Sequence, residues 1–174
     1  MRLAGTAYRA HDPRWSWTPL SGEGARIHGG RFNPQGVPAL YLALDFATAV
    51  IEANQGFPFR LMAPITLVSY AVDCDGLADL TDAKILRSLG ATAADLACAW
   101  KLLSEEGKSV PSWVLAERLR SEGASGVAVP SFSPGAAADA KNLVLWTWSD
   151  HPPYKVVVID PDKKLPRDGS SWTT

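Results

Sequence analysis

The order of strand and helix signals along the chain is the feature that most constrains its fold. Residues 64–73 are rich in β-branched side chains and predict a strand, whereas roughly 79–103 is rich in alanine and leucine and predicts one or two helices, with Thr92 as a cap. A further helix is predicted at Pro111–Ser121, with Gly123 after its end. Three more strands are predicted at 126–129, 142–148 and 154–160. Strands on both sides of clustered helices favour an α+β domain over regular βαβ alternation.

Length and composition indicate one globular domain that spans residues 1–174. The chain has a mass of 18.7 kDa, and 47% hydrophobic residues are enough for a proper core. A net charge of -1 without a basic stripe argues against a protein that holds nucleic acid through its phosphates. No apolar run approaches the roughly 20 residues that span a bilayer, and the N-terminus reaches charge and proline too soon for a signal peptide. We therefore expect a cytoplasmic protein that does not bind membranes.

A turn signal lies in the first third of the chain, at Asn33-Pro34-Gln35-Gly36. It suits a type I turn, with the asparagine side chain as cap, proline at the second position and glycine at the fourth. A short strand through Arg31 is thus predicted to turn back into a second strand that contains Tyr41. The segment before it, through Trp15 and Trp17 to Gly24, is predicted to be irregular.

The residues after this hairpin predict a short helix. Asp45 is a suitable N-cap, and Gly56 lies just past the predicted end. Glu52 falls about 60° beyond Ala49 on a helical wheel, outside the apolar arc. The predicted apolar face consists of Phe46, Ala49, Val50 and Ala53.

Several common motifs are excluded. The segment Ser21-Gly-Glu-Gly-Ala-Arg-Ile lacks the third glycine and the preceding strand of a dinucleotide fingerprint, and the chain has no GxxxxGK[ST], GxSxG or HExxH sequence. The two cysteines lie in apolar stretches without CxxC spacing, so buried free thiols are expected. We expect no catalytic metal, because the histidines are far apart in sequence. The cysteines are Cys74 and Cys98, and the histidines are His11, His28 and His151.

Arg31, Tyr41 and Glu52 could together bind a substrate with a phosphate, a flat heterocycle and a ribose. An arginine can hold a pyrophosphate through two parallel hydrogen bonds, and a tyrosine can stack on a nicotinamide ring. A carboxylate can stabilise positive charge at the anomeric carbon while a glycosidic bond breaks. Each residue also has an ordinary structural interpretation, which spacing alone favours: a surface charge, a core tyrosine and a solvated glutamate, respectively.

The sequence of this stretch resembles the RES-domain family, whose members are the toxins of RES–Xre toxin–antitoxin modules. The family is named for an arginine, a glutamate and a serine. The family frame looks like G-G-R-[FW]-N-P-x-G-x-P-x-[LV]-Y and then an Ala-x-x-Glu step. The chain has Gly29-Gly-Arg-Phe-Asn-Pro-Gln-Gly-Val-Pro-Ala-Leu-Tyr41, and then Ala49-Val-Ile-Glu52. The resemblance extends from about Tyr8 to Asp160.

A later block is similar to a second and less specific family marker, a Pro-Ser after a short strand followed by a strand that opens on asparagine. Here it is Val129-Pro-Ser131, and then Asn142-Leu-Val-Leu. Ser133 competes with Ser131 for the serine position, because the motif continues Phe-Ser-Pro; we favour Ser131. Taken alone, Ser131 would be a loop residue that bonds its own backbone.

The resemblance implies an ADP-ribosyltransferase-like fold, with a split β-sheet core, peripheral helices and NAD as substrate in the cleft. Family members consume NAD, by degrading it or by moving ADP-ribose onto an acceptor protein, and an Xre-type antitoxin is expected to mask the site. The implied site residues are Arg31 for a phosphate, Tyr41 against the nicotinamide, Glu52 for glycosidic cleavage, Ser131 or Ser133 against nicotinamide or ribose, and Asn142 as a further NAD-binding residue.

Two other functions stay open at this point. A non-catalytic domain of the same fold would bind a nucleotide or a partner protein, although the intact Arg31, Tyr41 and Glu52 argue against it. An unrelated enzyme on phosphorylated sugars would also use Arg31, but it would release no nicotinamide from NAD.

Overall fold

The structure is a computed structural model, and it describes residues 1–54 and 64–172. Within these residues, seven strands form one sheet, six α-helices surround it, and two single 3-10 turns lie at Pro13–Trp15 and Ser170–Trp172. The strands are β1 (Leu3–His11), β2 (Leu40–Ala43), β3 (Thr66–Cys74), β4 (Leu77–Asp79), β5 (Gly126–Pro130), β6 (Lys141–Leu145) and β7 (Tyr154–Val158). The helices are α1 (Glu23–His28), α2 (Phe46–Ala53), α3 (Ala83–Ser88), α4 (Ala93–Leu96), α5 (Trp100–Glu105) and α6 (Pro111–Ser121).

The sheet consists of two halves that hardly pair with each other. The strand order is β4-β5-β6-β2-β1-β3-β7, and of these neighbours β4 and β5 run parallel while the others run antiparallel. All nine residues of β1 pair with β3, and all four residues of β2 pair with β6. Between β1 and β2 the register has one pair, Tyr8 with Ala43. The α+β prediction with a split sheet is therefore confirmed.

Side chains alternate between the two faces of the sheet and form two apolar clusters. On one face, Val127, Val129 and Val144 pack against leucines of α3, α4 and α6. On the other face, the cluster lies beneath connecting segments near the chain ends, and its buried members include Leu40, Leu42, Leu143, Leu145, Val68, Tyr70 and Val156. Helices α3, α4 and α6 thus stabilise the β4-β5-β6-β2 half, which contains Tyr41 and Asn142 of the candidate site.

Several predicted elements are confirmed. The helix α6 has the predicted bounds, and Thr92 caps α4 through a capping box with Asp95. The strand predicted at 64–73 is β3. The middle region forms three short helices rather than one or two, because Asp82 and Thr92 each provide a new N-cap.

The prediction of an irregular N-terminal segment is confirmed for residues 12–22, which form a 3-10 turn and loops, but it is wrong on either side of them. Residues Leu3–His11 form β1, although this run contains three alanines and a glycine and has low intrinsic strand preference. Its full-length pairing with β3 supplies the stabilisation that the local sequence lacks. Residues Glu23–His28 form α1, whose N-cap Gly22 lies against the indole of Trp148, where a side chain would not fit.

The predicted strand through Arg31 is also wrong. Arg31 lies in a tight turn in which Gly30 and Asn33 exchange backbone hydrogen bonds. The next turn begins at Pro34 rather than at Asn33, and its third residue, Gly36, has φ 91°. The shift arises because the Asn33 side chain is fully buried and donates to the carbonyls of other residues instead of capping its own turn.

The remaining predictions are confirmed only in part. The strand predicted at 142–148 ends at Leu145, since the N–H groups of Trp146 and Thr147 both donate to the Ser125 carbonyl. Both cysteines are free, and burial raises the pKa of Cys74 to about 11, whereas Cys98 is only partly buried. Gly56 lies outside the described residues.

Candidate functional site

Glu52 is positioned by the short helix α2, which follows β2 directly. The predicted N-cap is confirmed: the Asp45 carboxylate accepts hydrogen bonds from the backbone N–H and the hydroxyl of Thr48. Ala49 is buried, as predicted, but Phe46 is 62% exposed and meets the edge of Tyr8. Glu52 is partly buried on the side of α2 that faces the split in the sheet, so it is not a fully solvated glutamate.

Two neutral donors converge on one oxygen of the Glu52 carboxylate. Ser131 Oγ lies 2.7 Å from Glu52 Oε1, and Asn142 Nδ2 lies 2.5 Å from the same atom. Ser131 follows β5, and Asn142 lies in β6 opposite Ala43 of β2. Three neighbouring elements therefore fix the position of this carboxylate. Among the described residues, the buried Asn142 Oδ1 atom has no hydrogen-bond partner.

The two candidate serines have different surroundings. Ser131 donates to Glu52, and its Oγ in turn lies 3.3 Å from the backbone N–H of Ser133, which donates to it. The hydrogen bond with the Ser133 backbone matches the loop interpretation, and the contact with Glu52 goes beyond it. The Ser133 side chain is buried, with 7% exposed. The Ser131 hydroxyl therefore contacts Glu52 directly.

Arg31 lies across a small cavity from Glu52. Its Nη1 donates to the backbone carbonyls of Leu96 (3.2 Å) and Cys98 (2.6 Å), and its guanidinium lies 4.6 Å from the centre of the Phe132 ring. Burial lowers the pKa of Arg31 from its ordinary value. In the described part of the chain, no carboxylate forms a salt bridge with Arg31, which distinguishes it from an ordinary surface ion-pair residue.

The turn that contains Arg31 is held by side chains from distant elements. Trp113 Nε1 donates to the Gly30 carbonyl (2.7 Å), Ser112 Oγ to the Arg31 carbonyl (2.5 Å) and Trp146 Nε1 to the Phe32 carbonyl (3.0 Å). Three consecutive carbonyls thus accept from side chains rather than from a partner strand. This arrangement explains how the turn is stable without the hairpin that the sequence predicts.

The hydroxyl of Tyr41 belongs to the same structural network. It donates to Asn33 Oδ1 (2.7 Å) and accepts from the backbone N–H of Phe32 (3.0 Å). Burial raises the pKa of Tyr41 well above its ordinary value, so the phenol remains protonated. A side chain on Gly30 would collide with this hydroxyl and with Asn33, which is why the second glycine of the pair is required.

Glu52, Tyr41 and Asn142 line two adjoining cavities. The first, here called the Arg31 cavity, has a volume of about 170 Å³ and also contains Arg31, Phe32, Trp100, Val129, Phe132 and Val144. The second, here called the split cavity, has a volume of about 250 Å³ and lies where β1 and β2 separate, against Tyr8, Arg9, Ala10, Leu42, Ala43, Ala49 and Ala53. A ligand at Glu52 can therefore extend in two directions.

The structure brings together five of the six predicted site residues: Arg31, Tyr41, Glu52, Ser131 and Asn142. Ser133 is adjacent through its backbone. Sequence reasoning missed Phe132 beneath the Arg31 guanidinium and the side chains that hold the Arg31 turn. A tryptophan or serine on a distant helix gives no sequence signal for such a contact.

Neither a metal centre nor a membrane span is found in the described residues. No group of three or more histidine, cysteine or acidic side chains within 1–54 and 64–172 could hold a metal ion. The helices in these ranges are too short or too polar to cross a bilayer.

The fold and the site define an α+β domain with a split sheet, in which an acidic side chain faces an arginine across the central cleft. A family model described as the RES domain matches residues 6–168, so the chain belongs to the RES-domain family. None of the curated proteins matches it in sequence.

Among solved structures, the chain is similar to the toxin of the M. tuberculosis MbcT–MbcA toxin–antitoxin complex. The two share 23% sequence identity with a TM-score of 0.60, and the match covers 92% of this chain and 84% of that chain. At this identity the similarity establishes the fold.

Proposed function

We propose that this chain is the toxin of a toxin–antitoxin module and that it consumes NAD by cleaving the bond between nicotinamide and ribose. Membership of the RES-domain family supports the toxin role, and so does the similarity to a toxin of a toxin–antitoxin complex. The NAD chemistry is supported by the geometry around Glu52.

The observation that supports NAD cleavage best is the fixed Glu52 carboxylate in the sheet split. Ser131 and Asn142 hold one of its oxygens through hydrogen bonds of 2.7 Å and 2.5 Å, and the residue faces two cavities. A carboxylate that is already in place needs little reorganisation when positive charge develops beside it. An ordinary surface glutamate would have no such arrangement.

The proposed step separates the bond between the nicotinamide nitrogen and ribose C1′. The bonding electron pair goes to the nicotinamide ring, which leaves as a neutral molecule, and C1′ becomes an oxocarbenium-like centre that the Glu52 carboxylate stabilises. A nucleophile then forms a bond to C1′ and loses its proton. That nucleophile is a side chain of an acceptor protein, water or phosphate, so the product is either a modified protein or a small ADP-ribose compound.

Arg31 and Tyr41 have binding roles in this proposal. The Arg31 guanidinium faces the Arg31 cavity without a salt bridge from the described chain, so it can attract a phosphate of NAD. The Tyr41 hydroxyl is bound to Asn33 and Phe32, so the tyrosine would contribute the face of its ring against the nicotinamide rather than a proton.

One experiment tests the reaction directly. The purified protein is incubated with NAD labelled in the adenylate part, with and without a cell lysate, while free nicotinamide and labelled protein bands are followed. Release of nicotinamide with labelled bands supports protein modification, and release without them supports transfer to water or phosphate. Absence of nicotinamide release in both conditions would contradict the proposal and leave a non-catalytic domain that binds a nucleotide or partner.

A further inference from the structure

Phe132 lies against the charged end of Arg31. The guanidinium carbon is 4.6 Å from the centre of the Phe132 ring, and both residues line the Arg31 cavity. A cation at this distance is attracted by the negative face of the aromatic ring. Because both side chains are partly buried, water screens this attraction less than it would on an open surface.

The hydrogen bonds of Arg31 leave part of its guanidinium for a ligand. The bonds to the carbonyls of Leu96 and Cys98 both use Nη1, and within residues 1–54 and 64–172 Nε and Nη2 donate to no other residue. Two donors on one edge of the planar group can bind a phosphate side by side. A phosphate would meet this edge, whereas an aromatic ring binds the face of a guanidinium, so the two contacts do not compete.

The Phe132 ring is held by a second aromatic side chain. It packs against Phe32, with the ring centres 6.2 Å apart, and Phe32 is buried with 2% of its surface exposed. Phe32 follows Arg31 in the chain, so the turn that presents Arg31 also supports the ring beside its guanidinium. A ring supported in this way needs little reordering when a ligand binds.

The backbone around Phe132 is fixed as well. The N–H of Ser131 donates to the Ala140 carbonyl (2.8 Å), and the N–H of Ser133 donates to Ser131 Oγ, which closes a tight turn around Phe132. Ser131 Oγ itself donates to Glu52. Adjacent residues of one turn therefore contact the two charged side chains of the site: Ser131 holds the carboxylate, and Phe132 contacts the cation.

We propose that Phe132 is a positioning residue, whose ring orients the Arg31 guanidinium toward a phosphate of the substrate through a cation–π contact. The inference rests on the proposed function, because it takes NAD as the substrate and Arg31 as its phosphate ligand. Without the ring, the long arginine side chain would sample more rotamers before binding, and the cost of ordering it would weaken the affinity for the phosphate. Two neighbouring residues thus control different steps, Phe132 the binding and Ser131 the bond cleavage.

The first test changes the charge distribution of the ring but hardly its size. Phe132 is replaced by phenylalanine with one, two or three fluorine atoms on the ring, and the Kd for ADP-ribose is measured by calorimetry. ADP-ribose has the pyrophosphate of NAD but no nicotinamide to lose. Fluorine withdraws electrons from the ring face, so Kd should rise with each fluorine and reach about tenfold with three. A ring that only fills space would give the same Kd in all forms.

Phe46 is the matched control. It is 62% exposed and meets the edge of Tyr8, and in the described part of the chain no cation lies over its ring. The same fluorinated series at Phe46 should leave the Kd for ADP-ribose unchanged. An equal rise at both positions would mean that fluorination acts through the fold, and it would overturn the role assigned to Phe132.

The second test separates binding from cleavage. Phe132→Leu removes the ring but keeps an apolar side chain, so the KM for NAD should rise about tenfold, while kcat should stay within about twofold because Ser131 still holds Glu52. Phe132→Tyr keeps the aromatic face and should have a KM near the wild-type value. A fall in kcat with unchanged KM would make Phe132 a support of the carboxylate instead, and the inference would be wrong.

The outcomes separate this inference from the proposed function. If the wild type releases nicotinamide but neither fluorination nor Phe132→Leu changes the affinity, the reaction stands and Phe132 has no positioning role. If the affinity for ADP-ribose falls with fluorination but nicotinamide is never released from NAD, the positioning role stands and the proposed reaction fails. If ADP-ribose does not bind the wild type, Arg31 holds no phosphate of this substrate and the inference is wrong.

Discussion

At the scale of single residues, the charge and position of Glu52 have separate sources. Ser131 and Asn142 fix the position of the carboxylate, and because both are neutral they do so without cancelling its charge. A carboxylate that is already in place can stabilise a positive centre that develops beside it during a reaction. The two properties can therefore be tested by different substitutions.

The charge is tested by Glu52→Gln. Glutamine keeps an oxygen that can accept from Ser131 and Asn142, but it removes the negative charge. We expect nicotinamide release to fall by about 10²-fold or more with little change in NAD binding, on the scale of losing one electrostatic stabiliser. The free energy of unfolding should change by about 0.5 kcal/mol or less, which denaturant titration measures. Release at the wild-type rate would rule out the mechanism.

The position is tested by Ser131→Ala, with Ser133→Ala as the matched variant two residues away. Because Ser131 Oγ donates to the Glu52 carboxylate, its loss should lower kcat about tenfold and leave KM nearly constant. Ser133→Ala should have the smaller effect on kcat. The opposite ranking would assign the family serine to Ser133.

Arg31 gives a third test at this scale. Removing its charge in Arg31→Ala should raise the Kd for NAD about tenfold or more, because a phosphate would lose a hydrogen-bonded cation, whereas the fold should persist. Lysine should restore binding only in part, since an ammonium lacks the paired donors of the guanidinium. Normal NAD affinity in Arg31→Ala, measured by calorimetry, would mean that Arg31 has no part in binding.

At the scale of elements, predictability depends on how local the stabilising contacts are. The caps at Asp45 and Thr92 and the bounds of α6 could be predicted, because a cap bonds to residues only three positions away. The strand β1 could not, because its stabilisation comes from β3, about 60 residues further along the chain.

The candidate site shows the same contrast. The family resemblance selects Arg31, Tyr41 and Glu52 from the sequence, and the predicted helix α2 does carry Glu52. The hairpin expected to place Arg31 opposite Tyr41, however, does not form. The buried Asn33 side chain and the donors Ser112 and Trp113 position the turn instead, and the two donors lie some 80 residues away. Long-range contacts of this kind leave no periodicity in the sequence.

The dependence of the Arg31 turn on α6 leads to a prediction. Ser112 is fully buried and donates to the Arg31 carbonyl, so Ser112→Ala should lower the free energy of unfolding by about 1–3 kcal/mol. It should also raise the KM for NAD, since the turn that presents Arg31 loses a support. Ser121→Ala, which removes an exposed hydroxyl on the same helix, is the control and should change neither quantity. An unchanged KM in a destabilised Ser112→Ala protein would show that the turn keeps its shape without this bond.

At the scale of the whole molecule, the proposed toxin role leads to a test with a second protein. We expect an antitoxin of the Xre type to form a stable complex with this chain on co-expression, and we expect the complex to release nicotinamide more slowly than the free chain does. The comparison is made at equal concentrations of the toxin chain. A stable complex that turns over NAD at the free rate would contradict the proposal that the antitoxin masks the site.

The split between β1 and β2 has a consequence for how such a protein can diversify. Ser131 and Asn142 belong to or adjoin the β4-β5-β6-β2 half, whereas Glu52 lies on α2, which packs mainly against β1 of the other half. Within the described residues one backbone pair joins β1 and β2, so the hydrogen bonds from Ser131 and Asn142 to Glu52 are themselves a bridge across the split. A substitution that breaks this bridge therefore loosens the joint between the two halves as well as the carboxylate, and catalytic competence and the cohesion of the sheet are inherited together.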